Sequence, residues 1–247
     1  MLADPVIFIV GDVHADGGEG AFSAFLDRLA ARQPARLVIL GDLVEYWLET
    51  DAGLRRHAGL LGRLRDLAQR GWQLDIVGGN REITAGRRLE IASGGRLHWP
   101  HLDVAVGPQS VRIVHGDRLC HDPGYRAYSA FMRGFWIRAL QPWIPAVVQD
   151  MVARLLRARS RSVQAQRTTV SSKRVFIDPR RVVAAARGAD VLIAGHIHAN
   201  WRRRIRGVDM MLVGDWPEPS GHWIEGYADG SLVARQESFS RSAMRPA

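Results

Sequence analysis

A chain of 247 residues that is 47% hydrophobic and 24% charged has the balance of an ordinary globular protein, neither disordered nor fibrous, and is long enough to bury a sizeable core as one large domain. Its single cysteine, Cys120, excludes an internal disulfide, and no apolar stretch approaches the roughly 18 residues of a membrane-spanning helix. A net charge of +9 points to anionic partners, among which nucleic acid, anionic lipid headgroups and phosphorylated small molecules all qualify.

The segment from Met1 to Val10 places Asp4 and Pro5 ahead of a short apolar run, with no basic leader and no small-residue cleavage site, so a cytosolic protein is expected. Short runs at Val6 to Val10, Leu37 to Leu40, Leu74 to Val77, Val111 to Val114 and Val191 to Ala194 are of strand length, rich in branched residues, and read as buried strands. Between the earlier ones, Ala21 to Ala31 and Leu54 to Gln69 repeat apolar residues at the three- and four-residue spacing of a helix. That alternation argues for an α/β fold. After Val208 the pattern shortens to Met210 to Val213, His222 to Tyr227 and Ser231 to Ala234, separated by Gly, Pro and Asp turns. These pieces are expected to complete a second, partly antiparallel sheet. With no internal repeat or long linker, residues 1–247 read as a single domain.

The segment from Tyr125 to Arg174 is different in composition. Arg126, Arg133, Arg138, Arg154, Arg157, Arg159, Arg161, Arg167, Lys173 and Arg174 face one acid, Asp150, and apolar residues such as Phe131, Trp136, Trp143 and Leu155 thread between them. It reads as a helical, basic and amphipathic insertion, spanning about 123–174. Lys173 is the only lysine among 34 basic residues, which singles it out as a phosphate contact.

Five short motifs follow five of the strand-like runs: Gly11-Asp12-Val13-His14, Gly41-Asp42, Gly79-Asn80-Arg81-Glu82, His115-Gly116-Asp117 and Gly195-His196-Ile197-His198. Each alone is a common turn. Together they carry a signal, because glycine at a strand end permits a sharp turn and aims the next side chain into the space above the sheet edge. Carboxylate, imidazole and one amide oxygen suit borderline divalent ions such as Mn²⁺, Fe²⁺ or Zn²⁺, and the lack of thiolates argues against a structural zinc site. Seven donors are too many for one ion. Two ions sharing a carboxylate would stand roughly 3.5 to 4 Å apart, a spacing that clamps a phosphoryl group.

Asp-x-His, Gly-Asp, Gly-Asn, His-Gly and Gly-His-x-His in this order resemble the calcineurin-like metallophosphoesterases, over almost the whole chain. The resemblance implies a sandwich of two mixed β-sheets flanked by helices, with a helical lid formed by the insertion. It implies one metal on Asp12, His14, Asp42 and His198, and a second on Asp42, Asn80, His115 and His196, with Asp42 bridging and Mn²⁺ the expected ion.

Longer motifs, Gly41-Asp42-Leu43-Val44-Glu45-Tyr46-Trp47, His115-Gly116-Asp117-Arg118-Leu119-Cys120, Arg157-Ala158-Arg159-Ser160-Arg161 and Gly214-Asp215-Trp216, resemble the UDP-2,3-diacylglucosamine pyrophosphatases of lipid A biosynthesis. That resemblance implies hydrolysis of UDP-2,3-diacylglucosamine to UMP and 2,3-diacylglucosamine 1-phosphate, on the cytoplasmic face of an anionic inner membrane and with no nucleic-acid partner. It implies catalytic roles for Asp42, Asn80, Arg81 and His115. Substrate contacts are implied at Asn80, Arg81, Asp122, Ser160, Arg167, Lys173 and His196.

Many calcineurin-like members carry histidine where Arg81 stands. Arginine cannot act as an acid, but its paired donors hold phosphate oxygens, which suits a pyrophosphate whose leaving group needs no proton. The chain departs from the lipid A family at Glu82-Ile83, where Asp-Phe is usual, at Cys120-His121-Asp122-Pro123 and at Ala199-Asn200. These departures are expected around the substrate pocket. They keep open a paralogue acting on another nucleotide-linked substrate, a phosphodiesterase acting on nucleic acid or cyclic nucleotides and, least favoured, a non-catalytic scaffold.

Overall fold

The run Ile-Phe-Ile-Val at Ile7–Val10 forms strand β1 with every residue buried, because its two faces meet two different apolar layers. Ile7 and Ile9 join Val38, Val111 and Ile193 in one cluster; Phe8 and Val10 join Phe25, Leu29 and Leu64 in another. This is the signature of a strand covered on both sides, and it explains the unbroken apolar sequence.

The computed structural model describes residues 4–16, 20–120 and 177–239. The insertion expected over about 123–174, and the expected contacts Asp122, Ser160, Arg167 and Lys173, lie outside the described residues. After β1 come α1 (Ala21–Ala30), β2 (Arg36–Ile39), α2 (Asp51–Arg56), α3 (Ala58–Gln69), β3 (Gln73–Val77), α4 (Arg87–Ser93), β4 (Arg96–His98), β5 (His101–Val106) and β6 (Gln109–Val114). Then follow α5 (Pro179–Ala185), β7 (Val191–Ala194), β8 (Trp201–Ile205), β9 (Val208–Leu212), β10 (Ser220–Gly226) and β11 (Leu232–Ser238).

The first sheet has the order β11-β10-β1-β2-β3-β4 and the second β5-β6-β7-β9-β8. Strands β1 to β4 are mutually parallel, with β10 antiparallel on β1. In the second sheet β6, β7 and β9 are parallel, with antiparallel β5 and β8 at the edges. The expected sandwich of two mixed sheets is present. Between them lies the layer containing Ile9, Val38, Val111, Ile193 and Met211. Leu61, Leu64, Phe25 and Leu89 from α3, α1 and α4 cover the outer face of the first sheet. Val182 and Ala186 of the α5 region cover Leu192 and Met210 on the second.

Two expectations need correction. Of the three pieces after Val208, only β9 enters the second sheet; β10 and β11 close the first, with Phe8 opposite Glu225. There Glu225 accepts hydrogen bonds from Trp223 Nε1 at 3.0 Å, Tyr227 Oη at 2.7 Å and Arg235 Nε at 2.8 Å, which compensates its burial. The helix expected over Leu54 to Gln69 is two helices. It breaks at His57, whose buried ring Nε2 donates to the Tyr46 carbonyl at 3.3 Å and stacks on Trp47. Tertiary contact overrides a helical pattern that runs straight through.

Candidate metal centre

All five motifs sit at the carboxyl ends of parallel strands: after β1, β2 and β3 of the first sheet, and after β6 and β7 of the second. Both sheets therefore deliver side chains to one edge of the sandwich. Ladder-like bonds continue past the strands, with Asp12 N–H donating to Gly41 O at 3.2 Å, His14 N–H to Asp42 O at 2.9 Å and Gly195 N–H to His115 O at 2.9 Å.

Asp12, His14, Asp42, His196 and His198 all lie in the left-handed region, with φ of 50, 51, 50, 68 and 54°. Such residues cost energy unless the surroundings over-determine them, and they concentrate at functional sites. Here the close approach of the loops does the determining. A Cβ on Gly79 would stand 2.5 Å from the backbone nitrogen and from Oδ1 of Asp42, and one on Gly195 would stand 2.5 Å from Asp12 Oδ2. Both positions require glycine.

The seven residues proposed as ligands converge. Ligand atoms of Asp12, His14 and His198 lie within 4.8 Å of one another, as do those of Asp12, Asp42 and His115. Asn80 Oδ1 stands 2.7 Å from His115 Nε2 and 3.1 Å from His196 Nδ1. Asp42 presents Oδ1 at 3.6 Å from His115 Nε2 and Oδ2 at 3.8 Å from His14 Nε2. Each of the two carboxylates, Asp12 and Asp42, thus faces both halves of the cluster.

Several features fit divalent cations. Asp12 Oδ1 is buried and makes no hydrogen bond among the described residues. His115 Nδ1 donates to Leu40 O at 3.0 Å, so in the neutral ring the Nε2 lone pair is aimed at Asn80 Oδ1, another lone pair. Ring nitrogens of His14 and His198 face each other at 3.3 Å. The electrostatics show the same demand for positive charge. Burial disfavours the His115 cation, yet Asp42, Asp12 and Asp117 outweigh it and push its pKa up to about 9. Burial, reinforced by Asp42, raises Asp12 to about 6. At Asp12 and His115 the buried carboxylates favour a bound positive charge, whereas burial pushes His14 and His196 down toward the neutral imidazole that ligates a metal.

Arg81 is pinned at the rim of this cluster. Its N–H donates to Asp42 Oδ1 at 3.0 Å and its carbonyl accepts from Trp47 N–H at 3.2 Å. Its Nε lies 3.7 Å from Asp42 Oδ2 and is buried without a hydrogen bond among the described residues.

Two residues of the site were not expected from the sequence. Asp215 Oδ2 accepts from His198 Nδ1 at 3.1 Å, which leaves Nε2 of that ring free for a cation. The motif Gly214-Asp215-Trp216 was visible, but nothing local tied it to His198. Replacing Asp215 with asparagine is expected to weaken divalent-metal affinity about 10- to 100-fold while the fold is kept; isothermal titration with Mn²⁺ checks this, and unchanged affinity would remove Asp215 from the site. The second residue is Glu82, which is 0% exposed. It does not border the pocket as expected from its departure from the family pattern: its carboxylate lies beneath the loops, accepting from the N–H groups of Asp42, Val44 and Gly79. Burial and then the Asp42 charge push its pKa up to about 7. Ala199 is partly buried and packs against the apolar cluster outside the second sheet.

The chain is similar to the UDP-2,3-diacylglucosamine hydrolase of Ralstonia nicotianae, 30% identical over an alignment that covers 92% of this chain and 91% of the relative. It is 31% identical to the enzyme of the same name from Chromobacterium violaceum over 223 residues, covering 88% and 93%. No protein-family model matches the sequence. Among solved structures, the phosphoesterase Yfce from E. coli aligns at 15% identity and a TM-score of 0.46 over 95% of this chain and 99% of its own. A likeness that distant leaves function to the site's own geometry.

Proposed function

We propose that this chain, which belongs to the family of UDP-2,3-diacylglucosamine hydrolases, cleaves the pyrophosphate of UDP-2,3-diacylglucosamine at a centre of two divalent metal ions, with Mn²⁺ as the working ion. The observation that carries this reading is the convergence of Asp12, His14, Asp42, Asn80, His115, His196 and His198 at five strand ends, with Arg81 at their rim. Asp12, His14, Asp42 and His198 would hold one ion, and Asp42, Asn80, His115 and His196 the other. When bound, such a pair supplies Lewis acidity and a hydroxide near neutral pH.

The chain's own residues supply the rest. Asp42 and Asp12 fix the anionic floor of the site, and the Leu40 carbonyl and Asp215 hold the rings of His115 and His198 in the orientation that turns Nε2 inward. Arg81 presents a guanidinium that cannot give up its proton and is shaped to hold two phosphate oxygens. Water adds to the α-phosphorus and the bond to the bridging oxygen breaks. UMP is released, and the bridging oxygen departs on 2,3-diacylglucosamine 1-phosphate. A phosphate leaving group titrates near pH 6, about neutrality, so it needs no acid to depart.

The protein would then act in lipid A synthesis, at the cytoplasmic surface of an anionic inner membrane. Its charge supports this, since Arg202, Arg203, Arg204 and Arg206 are exposed on and beside the edge strand β8, where anionic headgroups attract basic side chains. Among the described residues no helix is long and apolar enough to cross a membrane. The lid insertion would hold the acyl chains, with Asp122, Ser160, Arg167 and Lys173 at the substrate.

The test is UMP release from UDP-2,3-diacylglucosamine in mild detergent with Mn²⁺. Release that disappears on chelation and returns with Mn²⁺ is the expected result. Cleavage of bis(p-nitrophenyl) phosphate without any UMP release would keep a phosphoesterase and discard this substrate.

A further inference from the structure

The β2–β3 ladder ends at the pair Ile39 and Ile76, several residues short of Asp42 and Asn80. Beyond it, the spacing of the two loops needs another tie. Glu82 supplies one from below. Its Oε2 accepts from Asp42 N–H at 2.9 Å and from Gly79 N–H at 3.2 Å, and its Oε1 accepts from Val44 N–H at 3.3 Å. A single oxygen therefore joins the turn that carries Asp42 to the turn that carries Asn80. No salt bridge reaches this carboxylate among the described residues, and three backbone donors are what compensate its complete burial. The arrangement is reciprocal, because Asp42 Oδ1 in turn accepts from Arg81 N–H across the same gap at 3.0 Å.

We propose that Glu82 is a positioning residue: by bridging the two turns through Oε2 it sets the distance between Asp42 and Asn80, and with it the affinity of the metal position those two residues share. This rests on the dinuclear reading given above. A metal site loses affinity when its donors are displaced by fractions of an ångström, which is why groups that orient ligands matter nearly as much as the ligands. The bridge also accounts for a fully buried acidic residue that no salt bridge reaches among the described residues.

The experiment compares Glu82→Met, which keeps the volume and removes both acceptors, with Glu82→Gln, whose amide oxygen can take the place of Oε2 and accept from both turns. Mn²⁺ binding is read directly on the purified full chain by electron paramagnetic resonance of free Mn²⁺, alongside thermal unfolding. The Met variant is expected to bind one of two Mn²⁺ ions about 10- to 100-fold more weakly, with the Gln variant within about threefold of wild type. Should the Met variant not fold, Glu82→Asp carries the test, since it keeps the charge but shortens the reach and is expected to weaken the same ion. Unchanged Mn²⁺ affinity in the Met or Asp variant, with only a lowered melting temperature, would overturn the proposal. So would a Gln variant as weak as the Met variant, which would assign the effect to the charge or to the Val44 contact instead of the bridge between the two turns. A wild-type protein that binds no Mn²⁺ would overturn the metal-centre reading itself, and this one with it.

Discussion

Replacing Asp42 with asparagine is expected to lower hydrolysis about 1,000-fold or more, the loss of roughly 4 kcal/mol of transition-state stabilisation that a divalent centre supplies. Asp42 is 2% exposed and presents one oxygen toward His115 and the other toward His14. Among the described residues, Asp12 likewise takes part in both donor groups. Asparagine is the informative replacement because it tolerates the left-handed backbone that Asp42 adopts at φ 50°. Its amide oxygen still accepts from Arg81 N–H, so the loop is kept while the charge and one lone-pair face are lost. Turnover should therefore fall without collapse of the melting temperature, and metal content by mass spectrometry should drop below two ions per chain. Near-wild-type turnover in this variant would mean that no bridging carboxylate is needed and would dissolve the dinuclear assignment.

How much of this was legible in the sequence depends on which physical link encodes it. β1, β2, β3, β6 and β7 could be read because strands covered on both faces are continuous apolar runs. Edge elements could not. β8 is Trp-Arg-Arg-Arg-Ile, three successive exposed arginines on a strand with one neighbour, and β4 is three residues long. β5 does carry a sequence signal, since Leu102, Val104 and Val106 alternate and are buried. The same holds for α5, where Asp178 caps through Arg180 N–H at 2.9 Å and Pro179 opens the first turn. The partner of a late strand is a different matter. Nothing in His222 to Tyr227 states that it pairs with β1 instead of β9, because pairing is settled by the whole layer.

At the site, the donors themselves were legible and their supports were not. Gly-Asp, Gly-Asn and His-x-His name side chains that a strand end must throw toward a common point. Asp215 and Glu82 act across the chain on His198 and on the Asp42 loop, and no local spacing encodes such meetings. Glu82 illustrates the limit well. In the sequence it is a variant of a family motif placed near substrate, whereas in the fold it is enclosed and serves two backbone turns.

The second large effect is expected at Arg81. Exchange for histidine should lower UMP release from UDP-2,3-diacylglucosamine about 100- to 1,000-fold, the scale on which a preorganised charge donor acts at a phosphoryl group. The same change should raise cleavage of a phosphodiester whose leaving group is a poor alkoxide, since imidazole can supply the proton that guanidinium withholds. Both halves of the expectation follow from the backbone: Arg81 is held at its N–H by Asp42 and at its carbonyl by Trp47, so a new side chain at this position starts from the same place above the cluster. Arg81→Lys separates charge from shape. It keeps the cation but offers no paired donors, and it should retain binding better than turnover if the planar fork is what grips the transition state. Full pyrophosphate cleavage by the histidine variant, with no gain on the simple ester, would show that the arginine is a bystander of the metal site and not the group that selects an anhydride.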